Sequence, residues 1–129
     1  MPHLVIEYTD NLGNDARMAE LLSKANQILM AQDGVFPTGG IRSRAIRLTE
    51  YAIADEADDY AFVHARLTIG AGRSESVRKR VGDELFAMIK EHFAEPFARR
   101  PLALSLEVAE FGDAGTWKHN NLHARLAKP

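Results

Sequence analysis

Residues 61–93 read AFVHARLTIGAGRSESVRKRVGDELFAMIKEHF, and this stretch decides the fold. From Ala61 to Ile69 apolar side chains occupy every second position, which is the period of a strand. Gly70-Ala71-Gly72-Arg73 then turns the chain, and Ser74 is suited to cap the amino end of a helix. A helical stripe follows, because apolar residues recur every three or four positions. The stripe consists of Val77, Val81, Leu85, Met88, Ile89 and His92 or Phe93.

A last strand is predicted beyond this helix. Pro96 and Pro101 bracket the helix end, and the apolar positions of Leu102–Val108 alternate again. The connection between the two strands is long enough for a crossover, so they can pair in parallel. The second half of the chain is therefore predicted to be a β-α-β unit.

The first half shows the same order of elements. A short apolar strand, Leu4–Ile6, is closed by the turn-prone Thr9-Asp10-Asn11 with Gly13. A helical stripe follows, and Asp33-Gly34 ends it because glycine accepts the left-handed conformation that helix ends often need. After the loop Phe36–Gly40 comes a second strand, from about 41 to 48. The first stripe consists of Met18, Leu21, Leu22, Ala25, Ile28 and Leu29.

The expected architecture is α+β with an α/β-like order of elements. Two β-α-β units form one domain over residues 1–129, with a four-stranded mixed sheet and two helices on one face. The strands carry apolar residues on both sides, so we expect the uncovered sheet face to be apolar. Such a face has to be covered, which predicts an oligomer.

Composition excludes several classes of function. The chain has no cysteine, which rules out disulfides, thiolate nucleophiles and cysteine-type zinc sites. Sixteen basic and eighteen acidic side chains form no basic block, so no nucleic-acid partner is expected. No apolar run reaches the roughly 18 residues that span a bilayer, so no membrane partner is expected either. The start has no signal-peptide character, and we expect a cytoplasmic protein.

Pro2 is the first candidate for chemistry. The initiator methionine is usually removed before a small second residue, which would leave a proline secondary amine at the chain start. An α-amino group titrates at roughly 7.7–8.0, and burial or nearby cations lower that value toward the range of an effective base. While Met1 is attached, the Pro2 nitrogen is an amide and cannot act as a base. Many proteins also begin Met-Pro with no chemical consequence.

Two arginine-bearing segments could hold an acidic ligand. Arg42 and Arg44 would share one face of a strand, where a guanidinium can pair bidentately with a carboxylate, although such arginines are usually solvated. The turn Gly70–Ser74 could cradle an anion with its backbone N–H groups, or could simply need glycine geometry.

The histidines give weaker signals. His119 and His123 have the spacing of helical metal ligands, but their setting is typical of a surface tail and no metal is expected. His64, on a strand, is expected to be packed or at an interface.

Taken together, the segments resemble the 5-carboxymethyl-2-hydroxymuconate isomerase family of the tautomerase superfamily. The similarity runs along essentially the whole chain. The segments that carry it are Pro2-His3, Phe36-Pro37, Gly40–Arg44, Asp59–His64, Ile69–Ser74 and Asn120–His123.

The resemblance implies a β-α-β-β-α-β fold assembled as a homotrimer, without cofactor or metal. It implies isomerisation of 5-carboxymethyl-2-hydroxymuconate, in homoprotocatechuate (4-hydroxyphenylacetate) degradation. Pro2 would move a proton from the 2-hydroxyl to carbon C5, and Arg42 and Arg73 would bind substrate carboxylates. Arg44, Phe36 and His3 are further candidates for the pocket wall.

Two alternatives remain open at this stage. The chain could be a tautomerase of another small 2-hydroxydienoate, or a trimeric binding protein that has the fold without catalysis.

Overall fold

The computed structural model describes residues 1–126 and confirms the duplicated order of elements. The expected domain, 1–129, includes three residues that lie outside the described part. The strands are β1 His3–Thr9, β2 Arg42–Leu48, β3 Ala61–Gly70 and β4 Leu102–Phe111. The helices are α1 Met18–Met30, α2 Glu75–His92, α3 Ala94–Arg99 and α4 Leu122–Leu126.

The sheet has the order β2-β1-β3-β4 and is mixed, as expected. Within each half the two strands are parallel, and β1 and β3 join the halves in antiparallel. The register pairs His3 with Arg42 on one side and with Thr68 on the other. The start of β1 therefore lies between the start of β2 and the end of β3, at one end of the two central strands.

The two long helices cover one face of the sheet. Leu4 and Ile6 of β1 are fully buried against them, together with alternate residues of β3 from Ala61 to Ile69. Ser74 caps α2 as predicted, because its side chain accepts a hydrogen bond from the Val77 N–H at 3.2 Å. No helix within residues 1–126 is long and apolar enough to cross a membrane.

Several boundaries differ from the prediction. Helix α1 already ends at Met30, before the predicted stop at Asp33-Gly34. Pro96 does not mark the end of a helix: it lies in the first turn of α3, where a helix has no N–H bond to lose. The last strand also runs on to Phe111, three residues past Val108. This extension brings the end of β4 to the sheet edge where β1 begins, because Gly70 pairs with Phe111.

The expectation of an apolar outer sheet face is wrong at its centre. Glu7, His64, Arg66 and Glu107 line a shallow depression there with Val5. Arg66 and Glu107 form an ion pair at 3.5 Å. Strand alternation sends the apolar residues of β3 and β4 to the helix side, so the polar set between them faces outward.

Candidate active site at the amino terminus

Pro2 is buried directly before β1, at the end of the sheet where this central strand begins. Its carbonyl accepts a hydrogen bond from the Arg42 N–H at 3.0 Å, which ties the amino terminus to the start of β2. Met1 precedes it and is partly buried. The predicted base position and the first predicted arginine are thus neighbours through backbone pairing.

Arg42 and Arg44 lie two positions apart in β2 and so share one face of the strand, as predicted. Arg42 donates from Nη1 to the Gly40 carbonyl at 3.0 Å, which uses one of its five donors. Arg44 donates to Nδ1 of His3, also at 3.0 Å. The pKa of His3 is lowered, first by burial and then by the charges of Arg44 and Arg42. His3 is therefore favoured in its neutral form, with Nδ1 accepting.

Arg73 and Phe36 lie together on the other side of the amino terminus. The Arg73 guanidinium is 4.9 Å from the Phe36 ring centre and donates to the carbonyls of Gly70 at 3.0 Å and Val35 at 2.8 Å. Three of its five donors stay available for a ligand. Gly72 has φ +107°, so the turn does need a glycine at that position.

The charges around the amino terminus favour a neutral amine. Burial lowers the pKa of the Met1 amino group, and the positive charges of Lys118, Arg73 and Arg42 lower it further. Arg42 and Arg73 reach this point from opposite halves of the chain. The environment is that of a weakly basic amine surrounded by cations, which suits an anionic ligand.

Sequence reasoning missed the contribution of the carboxyl-terminal segment. The residues after β4 were expected to form a surface tail, yet several of them line a cavity of about 130 Å³ together with Met1 and His3. The other lining residues are Gly70, Phe111, Asp113, Thr116, Trp117 and Lys118. This segment thus forms part of the cavity wall at the amino terminus.

The segment is anchored where it packs on two adjacent glycines. A Cβ on Gly39 would stand 2.8 Å from the backbone nitrogen of His123, in α4. A Cβ on Gly40 would stand 3.4 Å from both the His123 ring and the Cα of Met1. Asn120 supports the start of α4, because its side-chain oxygen accepts from the Leu122 N–H at 3.0 Å. The paired glycines before β2 permit a close approach of another chain segment, but they do not show which segment it is.

We expect Gly39→Ala to displace α4. The added methyl would overlap backbone atoms of His123, so the helix has to move away from the site. Amide hydrogen exchange across residues 113–126 should then quicken by tenfold or more. Gly115→Ala is the matched control, since nothing lies within 4 Å of that position and its φ is ordinary. Unchanged exchange in a folded Gly39→Ala protein would show that the contact does not hold α4.

The remaining histidines form no metal site in residues 1–126, where no cluster of three potential ligands occurs. His119 precedes α4 and only His123 lies within it, so the helical pair is not formed. His64 bonds to the Ser105 hydroxyl at 2.7 Å on the outer sheet face.

Comparison with known proteins gives a consistent set of relatives. A family model described as 5-carboxymethyl-2-hydroxymuconate isomerase matches residues 2–126. The 5-carboxymethyl-2-hydroxymuconate Delta-isomerase of Escherichia coli is 44% identical over 124 residues, which cover 96% of this chain and 98% of that protein. The crystal structure of a 5-carboxymethyl-2-hydroxymuconate isomerase from Deinococcus radiodurans R1 has a TM-score of 0.94 at 58% identity. The matched region covers 98% of this chain and 95% of the chain in that crystal structure.

A more distant structure supports the fold class. A fused 4-OT described as a wild-type symmetric trimer has a TM-score of 0.68 at 13% identity and covers 92% of each chain. At that identity the likeness concerns the fold alone, and it agrees with the expected tautomerase-type α+β fold.

Proposed function

The chain belongs to the 5-carboxymethyl-2-hydroxymuconate isomerase family, and we propose that it catalyses this isomerisation with Pro2 as the proton carrier. The observation that carries the proposal is the position of Pro2, which is buried and paired through its carbonyl with Arg42, at a chain start where the charges of Lys118, Arg73 and Arg42 lower the pKa of the amine. Those surroundings lower the pKa of an amine and attract a carboxylate-bearing substrate at the same point.

The proposed reaction is a proton transfer along a dienol. After Met1 is removed, the neutral Pro2 amine takes the proton of the substrate 2-hydroxyl and returns a proton to carbon C5. Arg42 and Arg73 bind substrate carboxylates and stabilise the negative charge of the dienolate between the two steps. Phe36 holds the Arg73 guanidinium in place. Arg44 orients the ring of His3, which lines the cavity, by donating a hydrogen bond to its Nδ1.

Removal of Met1 is part of the proposal. With Met1 present the cavity is about 130 Å³, below the roughly 300 Å³ at which ligand pockets begin. Loss of this residue would free both the Pro2 nitrogen and the space that Met1 fills. The proposed proton transfer uses protein side chains and the amine alone, without a cofactor. A cytoplasmic location stays a prediction.

We also propose a homotrimer. Both outer strands, β2 and β4, have an open edge. Beside β4 lies an apolar groove lined by Phe86, Phe97 and Leu104, and the Phe97 side chain is 59% exposed. Open edges and exposed apolar side chains favour association between copies. The fused 4-OT, which has the same fold, is described as a symmetric trimer, and this description supports the proposed assembly.

Substrate profiling of the processed chain tests the proposed activity. We expect kcat/KM for 5-carboxymethyl-2-hydroxymuconate to exceed that for phenylpyruvate by about 10² or more, because phenylpyruvate offers one carboxylate to two arginines. A preference for phenylpyruvate would favour a different tautomerase. No ketonisation of any 2-hydroxydienoate by processed protein would favour a binding protein with the same fold.

A further inference from the structure

Lys118 is a cationic side chain of the site that neither arginine segment includes. It lies between β4 and α4 and lines the cavity that also contains Met1 and His3. Within residues 1–126 it has no salt-bridge or hydrogen-bond partner among the side chains. An exposed lysine without a partner at the wall of a cavity is available for an anionic ligand.

The charges of the cavity favour an anion at this position. Among the charged groups that act on the Met1 amine, Lys118 has the largest effect, ahead of Arg73 and Arg42. Asp113 is the single acidic residue of the lining. Lys118 and Asp113 are thus the charged side chains of the cavity wall, and the charges of Arg73 and Arg42 also act on the amine beside it.

The proposed substrate has a matching number of charges. A muconate has two carboxylates, and the carboxymethyl arm adds a third. Two arginines can each bind one carboxylate through a bidentate pair, which leaves one carboxylate without a partner. A lysine on a flexible stem suits the remaining group, because an ammonium ion binds as a point charge without a fixed geometry.

The segment that carries Lys118 is held in a defined place. Its two ends are fixed by the pairing of Phe111 with Gly70 in the sheet and by the packing of His123 on Gly39. Thr116 adds a hydrogen bond to the Gly112 carbonyl at 2.8 Å. The lysine thus lines the cavity from a segment that is anchored at both ends.

We propose that Lys118 binds the carboxymethyl carboxylate and so determines specificity for tricarboxylate over dicarboxylate dienols. The inference rests on the proposed function and deepens it. It assigns the first two carboxylates to the arginines and the substituent to the carboxyl-terminal segment.

The test compares two substrates across matched variants of the processed chain. The substrates are 5-carboxymethyl-2-hydroxymuconate and 2-hydroxymuconate, which lacks the arm and serves as a substrate or a competitive inhibitor. The assays are run at a pH above the Pro2 midpoint of every variant, because loss of the Lys118 charge also raises the pKa of the amine. Under that condition Lys118→Met should raise KM for the tricarboxylate about tenfold with kcat within about twofold, since it removes one charged hydrogen bond. Its KM or Ki for 2-hydroxymuconate should stay within about twofold. Lys118→Arg should restore most of the affinity.

The control is Lys79→Met, which removes the same charge from an exposed α2 residue paired with Asp83. Equal losses on both substrates, or no loss on either, would overturn the role of Lys118 while turnover by the wild type leaves the proposed function standing. If the processed wild type turns over neither compound, the proposed function fails. The role of Lys118 is then tested by calorimetric titration of both compounds into the wild type and Lys118→Met. Weakening of the tricarboxylate alone by Lys118→Met supports the inference, and any other binding result overturns it.

Discussion

Protein that retains Met1 is expected to isomerise 5-carboxymethyl-2-hydroxymuconate about 10²- to 10⁴-fold more slowly than the processed chain, the factor that a general base contributes. The Pro2 nitrogen is an amide in the unprocessed protein, with no lone pair available for a proton. The Met1 amine has a lowered pKa but is displaced by one residue, and Met1 forms part of the cavity wall.

The measurement uses one preparation before and after treatment with a methionine aminopeptidase. Intact mass reports the loss of the methionine, and thermal unfolding of both samples shows that the fold is the same. Equal kcat/KM in the two samples would remove Pro2 from the mechanism. A rate that rises in proportion to the processed fraction would assign the activity to the free amine.

Replacing Arg73 by alanine is expected to lower kcat/KM by about 10²- to 10³-fold, as does the loss of one donor that stabilises a developing charge. The side chain has two tasks, so two effects are expected. Its donors to the carbonyls of Val35 and Gly70 would be lost, which should lower the free energy of unfolding by about 1–3 kcal/mol. Its remaining donors would no longer bind substrate.

Two further variants separate these effects. Arg73→Lys keeps the charge without the planar fork and should recover only part of the activity. Arg99→Ala removes an equal charge from an exposed α3 residue paired with Glu95 and Asp15, and should leave kcat/KM within about twofold. Arg42→Ala should lose activity as Arg73→Ala does. A folded Arg73→Ala protein with activity near that of the wild type would show that this arginine does not act on the substrate.

The fold could be predicted from local pattern. Apolar residues recur every second position in Ala61–Ile69 and every three or four positions after Ser74, and these periods identify a strand and a helix. The segments of β1 and α1 are recognised in the same way. The period does not show which residues of an outer strand face water. Glu7 and His64 are register partners on the uncovered face, so that face is more polar than a count of apolar residues indicated.

The site could be predicted only in part. Pro2, Arg42 and Arg73 lie on segments with clear turn or strand signals, and the structure brings all three to one sheet edge. Lys118 lies in a polar segment without periodicity. Its position depends on the contact between Gly39 and His123, which are far apart in sequence, and no local pattern encodes such a contact.

The most direct test of the account is the titration of Pro2 itself. In processed protein labelled with ¹⁵N-proline, the Pro2 nitrogen signal is followed against pH beside kcat/KM. We predict a midpoint below the ordinary α-amino range of about 7.7–8.0, because burial and three cations disfavour the protonated amine. Activity should then appear as pH rises through that same midpoint and disappear as pH falls through it. A midpoint at or above the ordinary range, or a kcat/KM that does not follow it, would contradict the assignment of Pro2 as the base.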